Sequence, residues 1–253
     1  MRKFRLLASA AALLASLALP LAASAQQITV SAAASLTDAF KELGPKFEAT
    51  RPGATVRFNF AASGALLQQI VQGAPVDVFA SADQATMNRA ADQALIDAAS
   101  RRNFVTNSLV LIEPAQGGPG IRSLQDLGGA TVRKIAIGKV ATVPVGAYTR
   151  QALEGAKLWE ALQPKLVQAD SVRQVLDYVG RGEVDAGFVY ATDAAVAGDK
   201  VKVVSTPGGH APVSYPVAVI AESRQKALAG DFAAWLAGDE AQAVFRRFSF
   251  GRP

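Results

Sequence analysis

The chain has 253 residues and no cysteine; half of its residues are hydrophobic, 19% are charged, and the formal net charge is +5. This length allows one or two compact domains with a sizeable core, and the apolar content is too high for a disordered chain. The composition therefore excludes intrinsic disorder, a collagen-type repeat and a disulfide scaffold.

The first 25 residues have the order of a secretory signal peptide. Basic residues at positions 2, 3 and 5 precede an apolar run that closes with Ala23-Ser24-Ala25, which predicts cleavage after Ala25. An uncleaved membrane anchor is the alternative, since the run is nearly long enough to span a bilayer, but Pro20 and the small residues favour cleavage. A lipid anchor would need a cysteine. We therefore expect a periplasmic protein.

Loss of residues 1–25 removes most of the positive charge. It leaves 23 Lys and Arg against 21 Asp and Glu, a net charge of +2. No cluster of basic residues alternates with aromatic ones, so a nucleic-acid partner is not expected.

From Ile28 onward, short β-type runs alternate with segments of helical period. Up to Ala99 the pattern reads β-α-β-α-β, with a first helix whose apolar face carries Leu36, Phe40, Leu43 and Phe47. Val56, Phe58 and Phe60 alternate as a strand, and a second helix is predicted from about Ala65. A comparable set of strands and helices follows from Lys134 to Tyr190.

Two such sets predict two α/β domains with parallel sheets and helices on both faces. The long runs Phe104–Ile112 and Val213–Ala221 are interpreted as two crossover strands, which places a ligand cleft between two lobes. We expect residues 26–106 and 215–253 in the first lobe and 107–214 in the second. The alternative is a single sheet of nine or ten strands.

Residues with catalytic chemistry are few. His210 is the one histidine, and the sequence lacks G-x-S-x-G, H-E-x-x-H, Walker and G-x-G-x-x-G motifs. A secreted hydrolase with Ser35 or Ser63 as nucleophile would have to recruit His210 as its base, which makes this alternative weak.

Small residues and hydroxyls recur where strands run into helices. Ser35 precedes a helix with Asp38 three positions on, a capping-box pattern, and Ser63 opens the second helix. Two more starts lie at Thr142–Gly146, with a proline near N1, and at Asp170–Val172. Each can be an ordinary helix cap. Together, four N-termini in one cleft would favour a small anion.

These turns also restrict the anion. Arg, the usual partner of carboxylates and phosphate esters, occurs only as Arg173, one residue beyond Val172. A protonated oxyanion needs an acceptor, and Asp38 and Asp170 are better explained as helix-start residues. Neutral donors suit a fully ionised tetrahedral dianion such as sulfate, molybdate or tungstate.

Several motifs resemble the periplasmic molybdate-binding proteins of ABC importers, and the similarity extends over essentially the whole mature chain. They are Ile28–Val30 with Ala32–Thr37, Phe60–Ser63, Gly73–Gln84, Asn107–Val110, Gly187–Ala194 and Tyr215–Val219. The resemblance implies a two-lobed type II periplasmic-binding-protein fold, with the ligand in the interdomain cleft.

The resemblance also implies the site. Ser35 and Ser63 would donate hydroxyl and amide hydrogen bonds, Val145 and Val172 main-chain N–H groups, and Tyr190 its phenol. Molybdenum would be bound as the oxyanion, with no direct metal ligand. Val145 stands where the family has alanine, and its extra methyls are expected to narrow the pocket.

The implied function is capture of molybdate or tungstate and delivery to a membrane permease with a cytoplasmic ATPase. No cofactor and no catalysis are expected, and nothing indicates an obligate dimer, so we expect a monomer. A binding protein for sulfate, phosphate or another small solute stays open as the alternative.

Overall fold

The computed structural model describes residues 26–253, and the predicted signal peptide lies outside the described residues. The strands of the first sheet, in spatial order, are β2 (Ala54–Ala61), β1 (Gln26–Ala33), β3 (Val78–Ala80), β10 (Val213–Val219) and β4 (Arg102–Asn107). Those of the second are β7 (Leu166–Ala169), β6 (Ile135–Gly138), β8 (Ala186–Tyr190), β5 (Leu109–Pro114) and β9 (Val201–Ser205). The prediction of two α/β units is confirmed, and the single-sheet alternative is wrong.

Helices connect the strands in both units. In chain order they are α1 (Thr37–Thr50), α2 (Ser63–Val71), α3 (Gln84–Asp92), α4 (Pro144–Gly155), α5 (Trp159–Leu162), α6 (Val172–Gly180), α7 (Ala191–Ala197), α8 (Lys226–Trp235) and α9 (Asp239–Arg247). None of these helices, all within residues 26–253, is long and apolar enough to cross a membrane.

Both sheets contain parallel and antiparallel pairs of strands, so the expectation of purely parallel sheets is wrong. β1 is parallel to β2 and β3, and β6 is parallel to β7 and β8. β10 runs antiparallel to β3 and β4, and β5 antiparallel to β8 and β9. Each of these two reversed strands arrives from the other unit. It therefore enters its sheet from the cleft side and runs away from the cleft.

The apolar face predicted for the first helix packs against the first sheet. Leu36, Phe40, Leu43 and Phe47 are all buried. The Phe40 ring lies 5.6 to 6.1 Å, between centroids, from phenylalanines of β2, β4, α8 and α9. The two C-terminal helices therefore close the core of the first unit, and aromatic burial on this scale is a main source of stability.

Candidate ligand-binding site

Each of the five predicted site residues lies at, or shortly after, the carboxyl end of a strand. Ser35 follows β1, Ser63 follows β2, and Tyr190 is the last residue of β8. Val145 and Val172 lie beyond β6 and β7 in the same way. The carboxyl ends of parallel strands share one edge of a sheet, where α/β proteins bind ligands. The two such edges face each other across the cleft.

A small cavity brings all five residues together. Its other lining residues are Ala33, Ala34, Ala62, Ala82, Val143 and Pro144. The cavity is small: the volume open to the centre of a water molecule is about 10 Å³. This is close to the smallest such volume that holds one water molecule. None of these eleven lining residues is charged. The cavity therefore fits a compact ligand and offers it neutral groups.

The two units meet directly beside this cavity. The Gly64 N–H of α2 donates to the Thr142 carbonyl, at 3.0 Å, across the cleft. A Cβ at position 64 would lie 2.5 Å from that same oxygen, a distance that real side chains do not tolerate. Glycine is thus required for the close approach of the two units.

Three α-helices begin at the cavity wall. Ser63 is the first residue of α2, Val172 the first of α6, and Val145 the second of α4, after Pro144 at N1. The N–H groups in the first turn of a helix have no acceptor within that helix, and the helix dipole is positive there. Main-chain donors of both units therefore surround the cavity.

The capping-box prediction for Ser35 and Asp38 is wrong. Ser35 lies inside a 3-10 turn, Ala34–Leu36, and no side chain caps α1. The Ser35 Oγ instead lies 2.9 Å from the Tyr215 Oη, a residue 180 positions away. The cap predicted at the start of α6 is present, because the Ser171 hydroxyl accepts from the Gln174 N–H.

Ser63 also has a tertiary partner. Its Oγ accepts the Ala82 N–H, at 3.0 Å, in the buried wall of the cavity. This bond uses an oxygen lone pair and leaves the hydroxyl hydrogen available. Ser63 is therefore arranged as a donor.

Tyr190 supplies a buried phenol without a partner. Its side chain is fully buried, and no described group bonds to its Oη. The ring packs edge-on against Tyr148 and Tyr215, at centroid distances of 6.4 and 5.9 Å. Burial raises the pKa of Tyr190 well above its ordinary value of 10, so the hydroxyl keeps its hydrogen. A buried hydroxyl without a partner costs free energy unless a ligand accepts a hydrogen bond from it.

A charged cluster, not foreseen from the sequence, lies behind the cavity. The Arg173 Nη1, on α6, lies 2.7 Å from the Asp38 Oδ2 of the first unit, and the Arg173 Nε lies 2.7 Å from the Asp193 Oδ1. Neither ion pair has the alignment of a hydrogen bond. Burial raises the pKa of Asp193 to about 6, while Arg173 lowers it. Asp193 also accepts the Tyr190 N–H, at 3.3 Å, at the start of α7.

His210 is not placed as a base for either serine. Its Nδ1 lies 2.7 Å from the Ala211 carbonyl and its Nε2 3.0 Å from the Pro207 carbonyl, and its ring packs on Tyr148. Within residues 26–253 no group of three His, Asp or Glu side chains is arranged to hold a metal ion. The arrangement needed for the hydrolase alternative is not formed in the described part of the chain.

A small cavity lined by uncharged residues of two α/β units is typical of a two-lobed solute-binding protein. The family model of the bacterial extracellular solute-binding proteins matches residues 28–251. The chain belongs to this family, whose members bind solutes and are not enzymes.

Individual relatives agree with this assignment. The molybdate-binding protein ModA of Escherichia coli is 38% identical over 98% of both chains, and the putative ABC transporter substrate-binding lipoprotein YvgL of Bacillus subtilis is 37% identical over 88% of this chain and 85% of its own length. A solved substrate-binding domain of a putative molybdenum ABC transporter from Clostridium difficile superposes with a TM-score of 0.69 and 36% identity. That alignment covers 90% of this chain and 99% of the other.

Proposed function

We propose that this chain is a periplasmic binding protein that captures molybdate or tungstate between its lobes. It delivers the anion to the permease of an ABC importer that is driven by a cytoplasmic ATPase. The names of the Escherichia coli and Clostridium difficile relatives support molybdate as the ligand. The predicted signal peptide supports a periplasmic location.

The observation that carries the proposal is the unpartnered Tyr190 phenol in the wall of an uncharged cavity. Together with the Ser63 hydroxyl and the first N–H groups of α4 and α6, it offers hydrogen-bond donors from several directions. A tetrahedral dianion presents acceptors in all of these directions and has no hydrogen of its own to place. Exclusion of water strengthens each bond in such a closed site.

Ligand capture requires the lobes to open. We propose that residues 26–106 with 215–253, and residues 107–214, move as two lobes about the crossovers next to Ser108 and at the start of β10. The membership of the strands in two separate sheets supports two lobes, although Asn107, Val213 and Ser214 lie on strands of the first sheet. The Gly64–Thr142 hydrogen bond and the Asp38–Arg173 ion pair cross the cleft and would form on closure. The proposed protein acts as a monomer.

The test is a calorimetric titration of the ligand-free mature protein with molybdate, tungstate, sulfate and phosphate. We expect molybdate and tungstate to bind at least tenfold more tightly than sulfate, because the pocket selects by size. Tyr190→Phe should weaken molybdate binding about ten- to hundredfold, the effect of one hydrogen bond to a charged partner.

Tyr178→Phe is the matched control, since Tyr178 is a half-buried tyrosine of α6 that does not line the cavity. It should bind molybdate like the wild type. Equal affinity for sulfate and molybdate, or no effect of Tyr190→Phe, would contradict the proposal.

A further inference from the structure

The orientation of the Asn107 side chain is determined by its neighbours. Its Oδ1 accepts the Ser108 N–H, at 2.9 Å, and a main-chain N–H can only donate. The amide nitrogen therefore faces the other way. It donates to the Thr192 Oγ1 at 2.9 Å and to the Tyr215 Oη at 3.2 Å.

This donation decides where the Tyr215 hydroxyl hydrogen goes. Tyr215 is fully buried, and burial raises its pKa well above 10, so the phenol is protonated. With Asn107 donating to its oxygen, its hydrogen has one other hydrogen-bond neighbour in the described structure, the Ser35 Oγ at 2.9 Å. The opposite direction would leave a buried O–H without an acceptor, which is costly.

Ser35 consequently receives a hydrogen bond and turns its own hydrogen elsewhere. Ser35 is 3% exposed and lines the cavity, so that hydrogen is available to a ligand there. Ser63, which accepts the Ala82 N–H, is arranged in the same way. Both serines then offer donors, and each has one oxygen lone pair already occupied.

We propose that Asn107 and Tyr215 are positioning residues that make Ser35 a hydrogen-bond donor, and that they thereby favour fully deprotonated oxyanions over hydrogenphosphate. Hydrogenphosphate carries a hydrogen that needs an acceptor in the site. Because the hydrogen bond from Tyr215 makes Ser35 a donor, the Ser35 oxygen is not available as that acceptor. The inference rests on the proposed function and adds the source of its selectivity.

The two positioning residues lie at the two lobe crossovers. Asn107 ends β4, immediately before the chain enters the second sheet, and Tyr215 lies on β10, which returns from it. The direction of the hydrogen-bond chain is thus set by the segments that join the lobes, independently of the ligand.

The reversing substitution is Asn107→Asp. A carboxylate has nearly the same shape but only accepts, so the Tyr215 hydroxyl turns to it and its oxygen becomes free to accept the Ser35 hydroxyl hydrogen. Ser35 then presents a lone pair to the cavity. At pH 7.5 we expect molybdate affinity to fall about ten- to hundredfold, and the ratio of molybdate to phosphate affinity to fall at least about tenfold.

Asn103→Asp is the matched control for the added charge. Asn103 lies on the same strand, is exposed, and its Oδ1 already accepts a hydrogen bond from Gln84. This variant should leave the affinity ratio unchanged. Tyr215→Phe added to Asn107→Asp disconnects the carboxylate from Ser35 and should restore the ratio.

The decisive measurement repeats Asn107→Asp in a Ser35→Ala background. If the effect passes through the Ser35 hydroxyl, the change in ratio disappears there; a general charge or folding effect would persist. Wild-type molybdate binding with an unchanged ratio in Asn107→Asp overturns the positioning role alone. Failure of the wild type to bind any of the four oxyanions overturns the proposed function, and this inference with it.

Discussion

The two lobes have the same sheet topology but contribute different chemistry to the cavity. In each sheet three neighbouring strands are parallel, and one antiparallel strand lies between them and the last edge strand. The spatial orders β2-β1-β3-β10-β4 and β7-β6-β8-β5-β9 therefore correspond position by position. The first lobe presents the hydroxyls of Ser35 and Ser63, together with the start of α2. The second presents the helix starts at Val145 and Val172 and one phenol.

This difference separates donors that depend on residue identity from donors that depend on backbone position. A serine hydroxyl is lost with its side chain. A main-chain N–H at the start of a helix is retained by any residue other than proline that preserves the helix. We therefore expect binding to be sensitive to substitution in the first lobe and, Tyr190 apart, tolerant in the second.

The largest loss of molybdate affinity is expected for Ser63→Ala, in the first lobe. It removes a donor to the anion and leaves the buried Ala82 N–H without its acceptor, so molybdate affinity should fall by about 1.5–3 kcal/mol, roughly ten- to hundredfold. Calorimetric titration measures this loss. Ser205→Ala, at a hydroxyl of the second lobe outside the cavity, is the control, and equal affinities of the two variants would refute the role of Ser63.

Gly64→Ala tests the contact between the lobes. The added methyl would lie 2.5 Å from the Thr142 carbonyl oxygen, so the closed arrangement should lose about 1–2 kcal/mol, or roughly tenfold in molybdate affinity. If the lobes of the ligand-free protein are open as proposed, its thermal midpoint should change little, because Gly64 and Thr142 are then not in contact. An unchanged affinity would show that this contact does not form in the bound state.

The second lobe also contains the fully buried carboxyl group of Asp193. The pKa of Asp193 is about 6 when folded, above its ordinary value of 3.8, so folding favours the protonated form. The stabilising effect of protonation is present at low pH and is lost as pH rises through about 6.

Relative to Asp193→Asn, the unfolding free energy of the wild type should therefore rise by about 1 kcal/mol as pH falls from 7 to 5. Denaturant unfolding at the two pH values measures this difference. Parallel pH dependences of the two proteins would argue against an elevated Asp193 pKa.

The smallest effect is expected for Val145→Ala. The donor at this position is the main-chain N–H of α4, which the substitution retains, so molybdate affinity should stay within about threefold of the wild type. A loss above tenfold would mean that the Val145 side chain itself shapes the pocket. The molybdate to tungstate ratio, measured in the same titrations, reports on pocket width.

Local patterns predicted most of the elements well. The apolar face of α1, the alternation of β2 and the proline at the start of α4 depend on neighbours in sequence, and each is present. The reversed directions of β5 and β10 were missed, because strand direction depends on which lobe the chain comes from. The cap assigned to Ser35 failed because Tyr215, far along the chain, provides a different partner.

The sequence by itself determined the alternation of strands and helices, the absence of cysteine chemistry, and the five residues that the family resemblance places around a ligand. Their meeting in one cavity, and the direction of the hydrogen bonds that orient them, were decided only by the tertiary structure. Asn107, Tyr215 and Ser35 are separated by 72 to 180 positions and meet at the crossovers. No local pattern encodes such contacts, since they depend on how two sheets are joined.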